Sequence, residues 1–281
     1  MRFYYIRYQC LYNLKALSFS FVIPLSVLFL LSACTGLFDG IYDDAVDNGH
    51  DPVPVVDTDS TKTVISGQLY IDATSWTDWY YVDLKAMVDS AAQGKTGSVT
   101  IASYPIPMTL TEKSDEKAGI YTYWYDVFGK GISVNEYRSF VATDVQQEPE
   151  HWTFAVHRNN VRTNGGAVYE TSLTEIKELD LSHEDMKSLE FTSDVWTENV
   201  VWANQDQMLN CLIGSQGILA NTVLSSWLKV DLPPIPPSFT LNNHVFILRL
   251  SDGTYAALQL ANYQNAEGKK CHLSINYKYP I

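Results

Sequence analysis

Alternation of apolar and polar residues with a period of two predicts most of the regular structure in this chain. It is clearest in Cys271–Tyr279, where Cys, Leu, Ile and Tyr take the odd positions and His, Ser, Asn and Lys the even ones. This pattern is typical of a strand with one buried face and one wet face. Before it, apolar runs at His244–Leu250 and Thr254–Tyr263 flank the triplet 251–253, which contains Asp-Gly. An Asp-Gly turn between two such runs predicts a β-hairpin.

Further segments that favour strands occur nearer the N-terminus. Val64–Asp72 and Trp79–Leu84 are rich in β-branched and aromatic residues, which favour strands. Segments with a helical period are few and short, and we expect them at Ala86–Ala92 and within Asp206–Trp227. The sequence therefore predicts one all-β domain over residues 63–281, with few short helices.

Residues 1–33 have the pattern of a signal peptide. Their charged side chains are all positive (Arg2, Arg7 and Lys15), and an apolar stretch, Leu17–Leu31, follows. That stretch is short for a membrane span and lies close to the N-terminus. It ends in Leu-Ser-Ala followed by Cys34, which resembles a lipobox. We expect cleavage before Cys34 and a lipid anchor on its thiol; an ordinary signal peptide and an uncleaved anchor helix are the alternatives.

Residues 34–62 are rich in Asp, Gly, Pro and Thr and cannot bury much apolar surface, so we interpret them as a flexible acidic tether. The chain has a formal charge of −13, and removing three cations with residues 1–33 gives −13 − 3 = −16. An excess of this size argues against a nucleic-acid partner, whose phosphates need a basic surface. We expect an exported lipoprotein of the bacterial outer membrane, on its periplasmic or cell-surface face.

The remaining cysteines and histidines give two open questions. Cys211 and Cys271 either form a disulfide, which an exported compartment permits, or lie apart as buried thiols. His151 and His157 flank a strand-like stretch, but six residues of strand separate them by about 20 Å. A shared metal is therefore a poor interpretation, and we expect His157 and Arg158 to make hydrogen bonds within the sheet.

Motifs for catalysis are missing from the sequence. It contains no Gly-x-Ser-x-Gly, no His-Glu-x-x-His, no Cys-x-x-Cys and no phosphate-binding glycine loop. We expect a protein that is not an enzyme.

The segment Trp152–Ala167 carries a resemblance to a known family. Its Trp-x-x-Ala-x-His-Arg stretch is followed by Arg-x-Asn-Gly-Gly, and this combination strongly resembles the HmuY family of haem-binding lipoproteins from Bacteroidetes. Further blocks that resemble the family are Ile71–Ala73 with Trp79, Phe239–Asn243, Asn262–Asn265 and Tyr277–Pro280. The resemblance covers residues 63–281 and implies an all-β fold of sheets with long loops that form a clasp for haem at one end.

The resemblance also implies where the iron ligands should lie. In this family two His or two Met hold the haem iron, and thioether sulfur favours the ferrous state. The first Met of the Met-type relatives matches Met208, which we take as the candidate haem axial ligand. The second position falls at Ile235, which has no lone pair to donate, so the second axial ligand is missing.

Three interpretations of this site stay open. Haem binds with Met208 as its only axial ligand while another side chain or water completes the site, the loops clasp another flat ligand such as an iron-free porphyrin or a bile pigment, or the pocket has become an interaction surface. For Met208 itself, filling a gap in an apolar core is the alternative to a ligand role. The aromatic run Tyr121–Tyr125 either stacks on a porphyrin or packs across strands, and the second is the commoner use of alternate aromatics.

The leading hypothesis is a lipid-anchored protein that binds haem or a related tetrapyrrole for haem and iron capture, with an outer-membrane haem transporter as a further partner. The alternative is a non-haem surface lipoprotein that acts as an interaction or adhesion module or as a transporter partner.

Overall fold

The computed structural model describes most of the region predicted to form the domain. The described residues are 55–57, 63–95, 101–106, 120–126, 137–143, 145–198, 200–205, 212–231 and 236–281, and within 55–57, 120–126 and 137–143 only the backbone is described. The predicted signal peptide, Cys34, Met208, Cys211 and Ile235 lie outside these residues.

Antiparallel strands dominate the described residues, as predicted. The strands are β1 Val55–Asp57, β2 Val64–Asp72, β3 Asp78–Val82, β4 Ala102–Pro105, β5 Ile120–Asp126, β6 Tyr137–Thr143, β7 Phe154–His157, β8 Asn160–Thr163, β9 Ala167–Glu170, β10 Thr192–Ser193, β11 Val195–Thr197, β12 Trp202–Asn204, β13 Leu212–Ala220, β14 Leu228–Asp231, β15 Ser238–Leu241, β16 Phe246–Arg249, β17 Tyr255–Gln264 and β18 Lys270–Tyr279. The helices are α1 Leu84–Ala92, α2 His183–Lys187 and α3 Thr222–Ser225, with a 3-10 turn, η1, at Ile176–Glu178.

The strands form sheets that bury one another. The largest has the order β1-β2-β18-β17-β16-β9-β10, a second has the order β4-β3-β7-β8, and a third has the order β11-β13-β5-β6 with β12 also paired to β13. The pair β14-β15 stands apart from these sheets.

The sheet that contains β3 and β7 lies in the middle and is buried on both faces. One of its faces contributes Val82, Phe154 and Val156 to the core shared with the largest sheet. The other face contributes Trp79 and Ala155, among others, to a second core with Ile218 and Ala220 of β13. This double burial explains why all of β7 is buried.

The C-terminal hairpin forms as predicted, with β16 and β17 paired antiparallel across the Asp-Gly turn. The odd residues of β18 face the core, but the predicted wet face is wrong at the start of the strand. His272 and Ser274 are only 7% and 3% exposed. The reason is that side chains of the neighbouring strands cover this face: β18 is paired to β2 and β17, and Tyr70 of β2 stacks on His272 with ring centroids 6.0 Å apart. The alternation cannot distinguish a solvated polar residue from a covered one such as His272, which is hydrogen-bonded to the Tyr70 hydroxyl at 2.8 Å.

The two predicted helices have different outcomes. Helix α1 is present, and the Asp83 carboxylate caps it by accepting from the Lys85 and Ala86 amides at 2.9 and 3.1 Å. The helix predicted within Asp206–Trp227 is wrong for the part that the structure describes, since Leu212–Ala220 is strand β13 and, of residues 212–227, only Thr222–Ser225 is helical. Two glycines and two isoleucines in β13 disfavour helix and outweigh the apolar spacing. No helix among the described residues is long and apolar enough to cross a membrane.

Candidate ligand-binding site

The segment Trp152–Ala167, which carries the resemblance, folds into the β7–β8 hairpin and the bend that leads to β9. His157 pairs with Asn160, so the hairpin turn consists of Arg158 and Asn159. Both ends of the hairpin are fixed by side chains. At the turn, the Asn160 amide donates to Val200 O at 3.1 Å, and at the open end Asn164 donates to Trp152 O at 3.0 Å.

His157 has a structural role, as predicted, but its hydrogen bond goes to the loop before β3 and not into the sheet. Its ring is fully buried with its centroid 5.4 Å from that of Trp79, and its Nε2 lies 3.0 Å from Trp76 O. A carbonyl can only accept, so Nε2 carries the proton. Burial lowers the pKa of His157 to about 4, which keeps the ring neutral. His151, in contrast, is exposed and lies 3.9 Å from the Glu150 carboxylate. No group of three or more His, Cys, Asp or Glu among the described residues could hold a metal ion.

Arg158 occupies an unusual backbone position at the hairpin turn. Its φ is 55°, a left-handed conformation that disfavours side chains with a Cβ. Two contacts offset this cost. The guanidinium donates to Thr74 O at 2.8 Å and stands 4.5 Å from the ring centroid of Trp76. Arg158 does make a hydrogen bond, but the expected location within the sheet is wrong: the bond joins the hairpin to the segment between β2 and β3.

The two glycines after Asn164 serve different needs. Gly165 has φ 66°, which glycine adopts without strain. A Cβ on Gly166 would lie only 2.7 Å from Arg249 O, so a side chain there would push against the backbone of β16. The Arg-x-Asn-Gly-Gly part of the segment is thus explained by packing against the largest sheet.

A chain of buried amides attaches β13 to the middle sheet. The Trp79 indole donates to Gln216 Oε1 at 2.9 Å, and Gln216 Nε2 donates to Gln146 Oε1 at 3.0 Å. Gln146 in turn donates to Gln147 O at 2.9 Å. Each of these donors is satisfied in a dry environment, so the position of β13 is tightly specified.

Next to this chain, Arg162 is held between two indoles. Its guanidinium lies 5.0 Å from the Trp152 ring centroid and 5.8 Å from that of Trp79, and it pairs with Glu148 at 3.2 Å. Burial raises the pKa of the neighbouring Tyr81 to about 12, so this phenol stays protonated. The charged groups in this part of the hairpin thus pair with one another and with rings of the protein.

Both candidate iron-ligand positions fall in connections between paired strands. Met208 belongs to the connection 205–211, between β12 and β13, and Ile235 to the connection 232–237, between β14 and β15. Their own coordinates lie outside the described residues, but the strands on either side show from which end of the molecule each connection leaves.

The connection 205–211 leaves from the end that carries the β7–β8 turn. Gln216 contacts Trp79, and the Trp79 ring lies beside that of His157 at the turn. Five residues later in the chain, Asn221 N donates to Val161 O, further along β8. Because Gln216 lies near the turn and Asn221 lies beside Val161, β13 begins on the turn side of the hairpin.

The connection 232–237 leaves from the same end. Phe239, shortly after it, stacks on Tyr263 with ring centroids 6.0 Å apart, and Lys270 Nζ lies 5.9 and 5.4 Å from the two ring centroids. The hydrogen bond from Ala73 N to Cys271 O, 2.9 Å long, brings the start of β18 beside the Thr74–Trp76 segment. We call the residues of this end the rim: Thr74, Trp76, Arg158, Phe239, Tyr263 and Lys270.

The structure tests two further predictions only in part. By backbone register, Tyr121, Tyr123 and Tyr125 pair with Gly217, Ser215 and Ile213, so β5 is a central strand. Whether their rings meet a ligand stays a prediction, because these side chains are not described. Cys271 is a buried free thiol, and its suggested partner Cys211 lies outside the described residues.

Sequence reasoning missed most of the rim. Arg158 was expected to bond within the sheet, but its contact with Trp76 joins residues that several strands and a helix separate along the chain, and it has no spacing that a single sequence reveals. The only signal available was an arginine in a tight turn that lacks glycine. Lys270 was likewise not recognised, since its aromatic partners come from two other strands.

The fold defines a class: an all-β protein of stacked antiparallel sheets. Residues 75–277 match the HmuY protein family, and the chain belongs to that family. No curated protein sequence matches this chain significantly.

Solved structures agree with the family assignment. A protein from Bacteroides vulgatus, proposed to be an HmuY-like heme binding protein, is 29% identical with a TM-score of 0.55, over 82% of this chain and 99% of its own. A proposed lipoprotein from Bacteroides fragilis is 26% identical with a TM-score of 0.55, over 84% of this chain and 99% of its own. The apo HmuY analog of Tannerella forsythia, at 20% identity and a TM-score of 0.56, covers 79% of this chain and 100% of its own and shows the fold alone.

Proposed function

We propose that this protein binds haem, or a closely related tetrapyrrole, between the connections 205–211 and 232–237. We further propose that lipid on Cys34 holds it at the bacterial outer membrane, where it captures haem as an iron source. An outer-membrane transporter is the partner that would receive the captured haem.

One observation supports the proposal most directly. The two connections that hold the family's ligand positions leave from the same end of the molecule, at the rim. A flat ligand with two faces needs walls on both sides, and two connections that leave from the same end can supply them. Membership of the HmuY family and the heme binding proposed for the relative from Bacteroides vulgatus point the same way.

The residues near the rim fit a porphyrin in chemical terms. Trp76, Phe239 and Tyr263 place aromatic rings at the rim. Met208 would offer a thioether, which binds ferrous iron better than ferric iron, while Ile235 offers an apolar wall and no donor. The bound group would supply the iron and its redox chemistry, and this chain would supply apolar contact, one axial sulfur and shielding from water.

A matched pair of methionine variants tests the ligand assignment. Met208→Leu removes the thioether at nearly constant volume, and Met87→Leu does the same on α1, outside the rim. We expect Met208→Leu to change the Soret and visible bands of dithionite-reduced haem and to weaken its binding about 10-fold, about 1.4 kcal/mol. Met87→Leu should leave both unchanged. Identical spectra for the two variants would refute Met208 as the ligand while leaving haem binding in place.

The lipoprotein part of the proposal has separate support. The tetrapeptide that ends in Cys34 resembles a lipobox, and the relative from Bacteroides fragilis is a proposed lipoprotein. A permanent anchor suits capture of a scarce compound, because the protein cannot diffuse away from the cell.

A second candidate function, an interaction module, is favoured by one observation. Trp196 and Leu219 are cross-strand neighbours of β11 and β13 and are 45% and 49% exposed. Exposed apolar pairs of this size occur at protein interfaces. Crosslinking in intact cells would test it: Trp196→Ser should abolish a crosslinked outer-membrane partner without affecting haemin binding, and an unchanged crosslinking pattern would contradict it.

A further inference from the structure

A cleft of about 500 Å³ lies at the open end of the β7–β8 hairpin, whereas the rim lies at its turn. Four parts of the chain form its walls: the start of α1, residues 151–153 before β7, the bend at 164–166 and the turn between β16 and β17. All four belong to the part of the chain that the structure describes. The volume falls in the range of small-molecule sites, and the function proposed above does not use this cleft.

The indole of Trp152 gives the cleft a fixed apolar wall. Its ring packs against the Arg162 guanidinium, 5.0 Å from the ring centroid, and against the Tyr81 ring, whose centroid is 5.1 Å away at an angle of 84°. Only 7% of Trp152 is exposed, so the surrounding protein holds the indole in place. A wall that is already ordered costs little entropy when a ligand binds.

The polar groups of the cleft are mostly hydrogen-bond acceptors. Asn164 donates from Nδ2 to Trp152 O at 3.0 Å, which orients the amide, and its Oδ1 has no partner among the described residues. Asp83 accepts from two backbone amides of α1 through one carboxylate oxygen only. Asp89, further along α1, is exposed, and within the described part of the chain nothing donates to its carboxylate.

Charge and a buried hydroxyl narrow the class of ligand. The ammonium of Lys85, which lines the cleft, is paired with Asp252 at 2.5 Å, so the two carboxylates of α1 remain to repel an anionic ligand. The Thr153 hydroxyl accepts from Leu84 N at 3.0 Å and keeps its own proton to donate, in a residue only 5% exposed. A ligand that fits this lining carries several donors, at least one acceptor and an apolar face.

A saccharide has this combination, because its hydroxyl groups both donate and accept and the C–H groups on one side of its ring are apolar. We infer that the cleft binds a saccharide. Asp89 and Asn164 accept from its hydroxyl groups, and Thr153 donates to it. Trp152 packs against the apolar side of the ring. This site is separate from the proposed tetrapyrrole site.

Saturation-transfer NMR on the purified full chain, in a detergent without a sugar head group, tests the inference. The probes are glucose, galactose, mannose, N-acetylglucosamine, maltose, lactose and chitobiose. We expect saturable binding of at least one of them. Its affinity should fall about 10-fold in Asp89→Ala and about 5-fold in Asn164→Ala, because a hydrogen bond to a charged group is the stronger of the two.

A matched control separates the cleft from the rest of the acidic surface. Asp180→Ala removes an exposed carboxylate outside the cleft and should bind the saccharide as the wild type does. Urea unfolding of Asp89→Ala should match that of the wild type, since the Asp89 side chain is exposed. Added sodium chloride should leave the affinity unchanged, because the ligand carries no charge.

Three results would overturn the inference. The first is the absence of saturable binding for every saccharide among the probes. The second is an affinity that is equal in the wild type, Asp89→Ala and Asn164→Ala, because the saccharide then binds elsewhere. The third is salt-sensitive binding of agmatine, a dication, without binding of any saccharide, which would make the cleft a cation site. None of these results depends on haemin, so the inference and the proposed function fail separately.

Discussion

His157 sits at the point where the β7–β8 hairpin meets the segment before β3, and its buried ring has a consequence for stability. The ring is neutral in the fold because burial lowers its pKa from 6.5 to about 4. Between these two values the unfolded chain binds a proton that the folded chain does not. Stability contributed by the neutral ring is therefore complete above pH 6.5 and is lost as the pH falls towards 4.

We expect the free energy of unfolding, measured with urea, to fall by about 2 kcal/mol between pH 7 and pH 5 because of this residue. His157→Gln has no titrating group and should reduce that fall by the same amount. His151→Gln, which changes an exposed histidine, is the control and should retain the full pH dependence. An equal pH dependence in all three proteins would show that the His157 pKa is not lowered.

Ile235 permits a gain-of-function experiment at the second ligand position. Ile235→Met would place a second thioether where the Met-type relatives have one, so the ferrous haem complex should become six-coordinate and bind at least about 10-fold more tightly. Visible spectra of the reduced complex provide the measurement. Ile176→Met, on η1, is the control, and an unchanged complex in Ile235→Met would argue that the connection 232–237 does not face the iron.

The role of a residue could be predicted only where the sequence itself contains a signal for that role, such as a family motif or a place in a strand. Met208 and Ile235 came from the resemblance, and the structural role of His157 followed from its place beside a strand. The contact of Arg158 with Trp76 could not be predicted, because it joins residues far apart in the chain and depends on a turn conformation that is rare for arginine.

At the scale of elements, β13 is the strand that most directly positions the Met208 connection, and its attachment can be tested. Gln216→Leu would leave the buried Trp79 indole and the Gln146 side chain without their partner. We expect a loss of about 1–3 kcal/mol in the free energy of unfolding, the usual cost of an unsatisfied buried donor.

Urea unfolding of Gln93→Leu gives the matched comparison, since Gln93 is an exposed residue at the end of α1. That variant should stay within about 0.5 kcal/mol of the wild type. If both variants were equally stable, the amide chain would not hold β13. Haem binding should weaken together with stability only in Gln216→Leu.

Elements with a strong local pattern were predicted well. The bounds of β2 agree with the predicted Val64–Asp72, and the Asp-Gly turn correctly predicted the β16–β17 hairpin. β13 was mistaken for helix because its apolar spacing fits both periods, and its strand state depends on pairing with β5, β11 and β12. Burial of His272 was missed because the neighbours of a strand in its sheet cannot be deduced from the strand itself.

At the scale of the whole molecule, the proposed lipid anchor determines where binding takes place. Cys34→Ser removes the thiol that would carry the lipid, and the protein should then partition from the detergent phase into the aqueous phase in Triton X-114 extraction. Haem binding should be unaffected, because the rim belongs to the domain and not to the tether. A variant that remains in the detergent phase would contradict lipidation at Cys34.

The stacked sheets and the acidic surface serve different parts of the proposed activity. The middle sheet, buried on both faces, fixes the strands from which both connections leave. The net charge of −13 disfavours self-association of the chain through charge repulsion.

Haem binding itself is the central claim, and titration of the purified protein with haemin tests it most directly. The protein should give a saturable shift of the Soret band at a stoichiometry of one haem per chain, with a larger spectral change after dithionite reduction if a thioether binds the iron. The absence of a saturable shift in both oxidation states would contradict the claim.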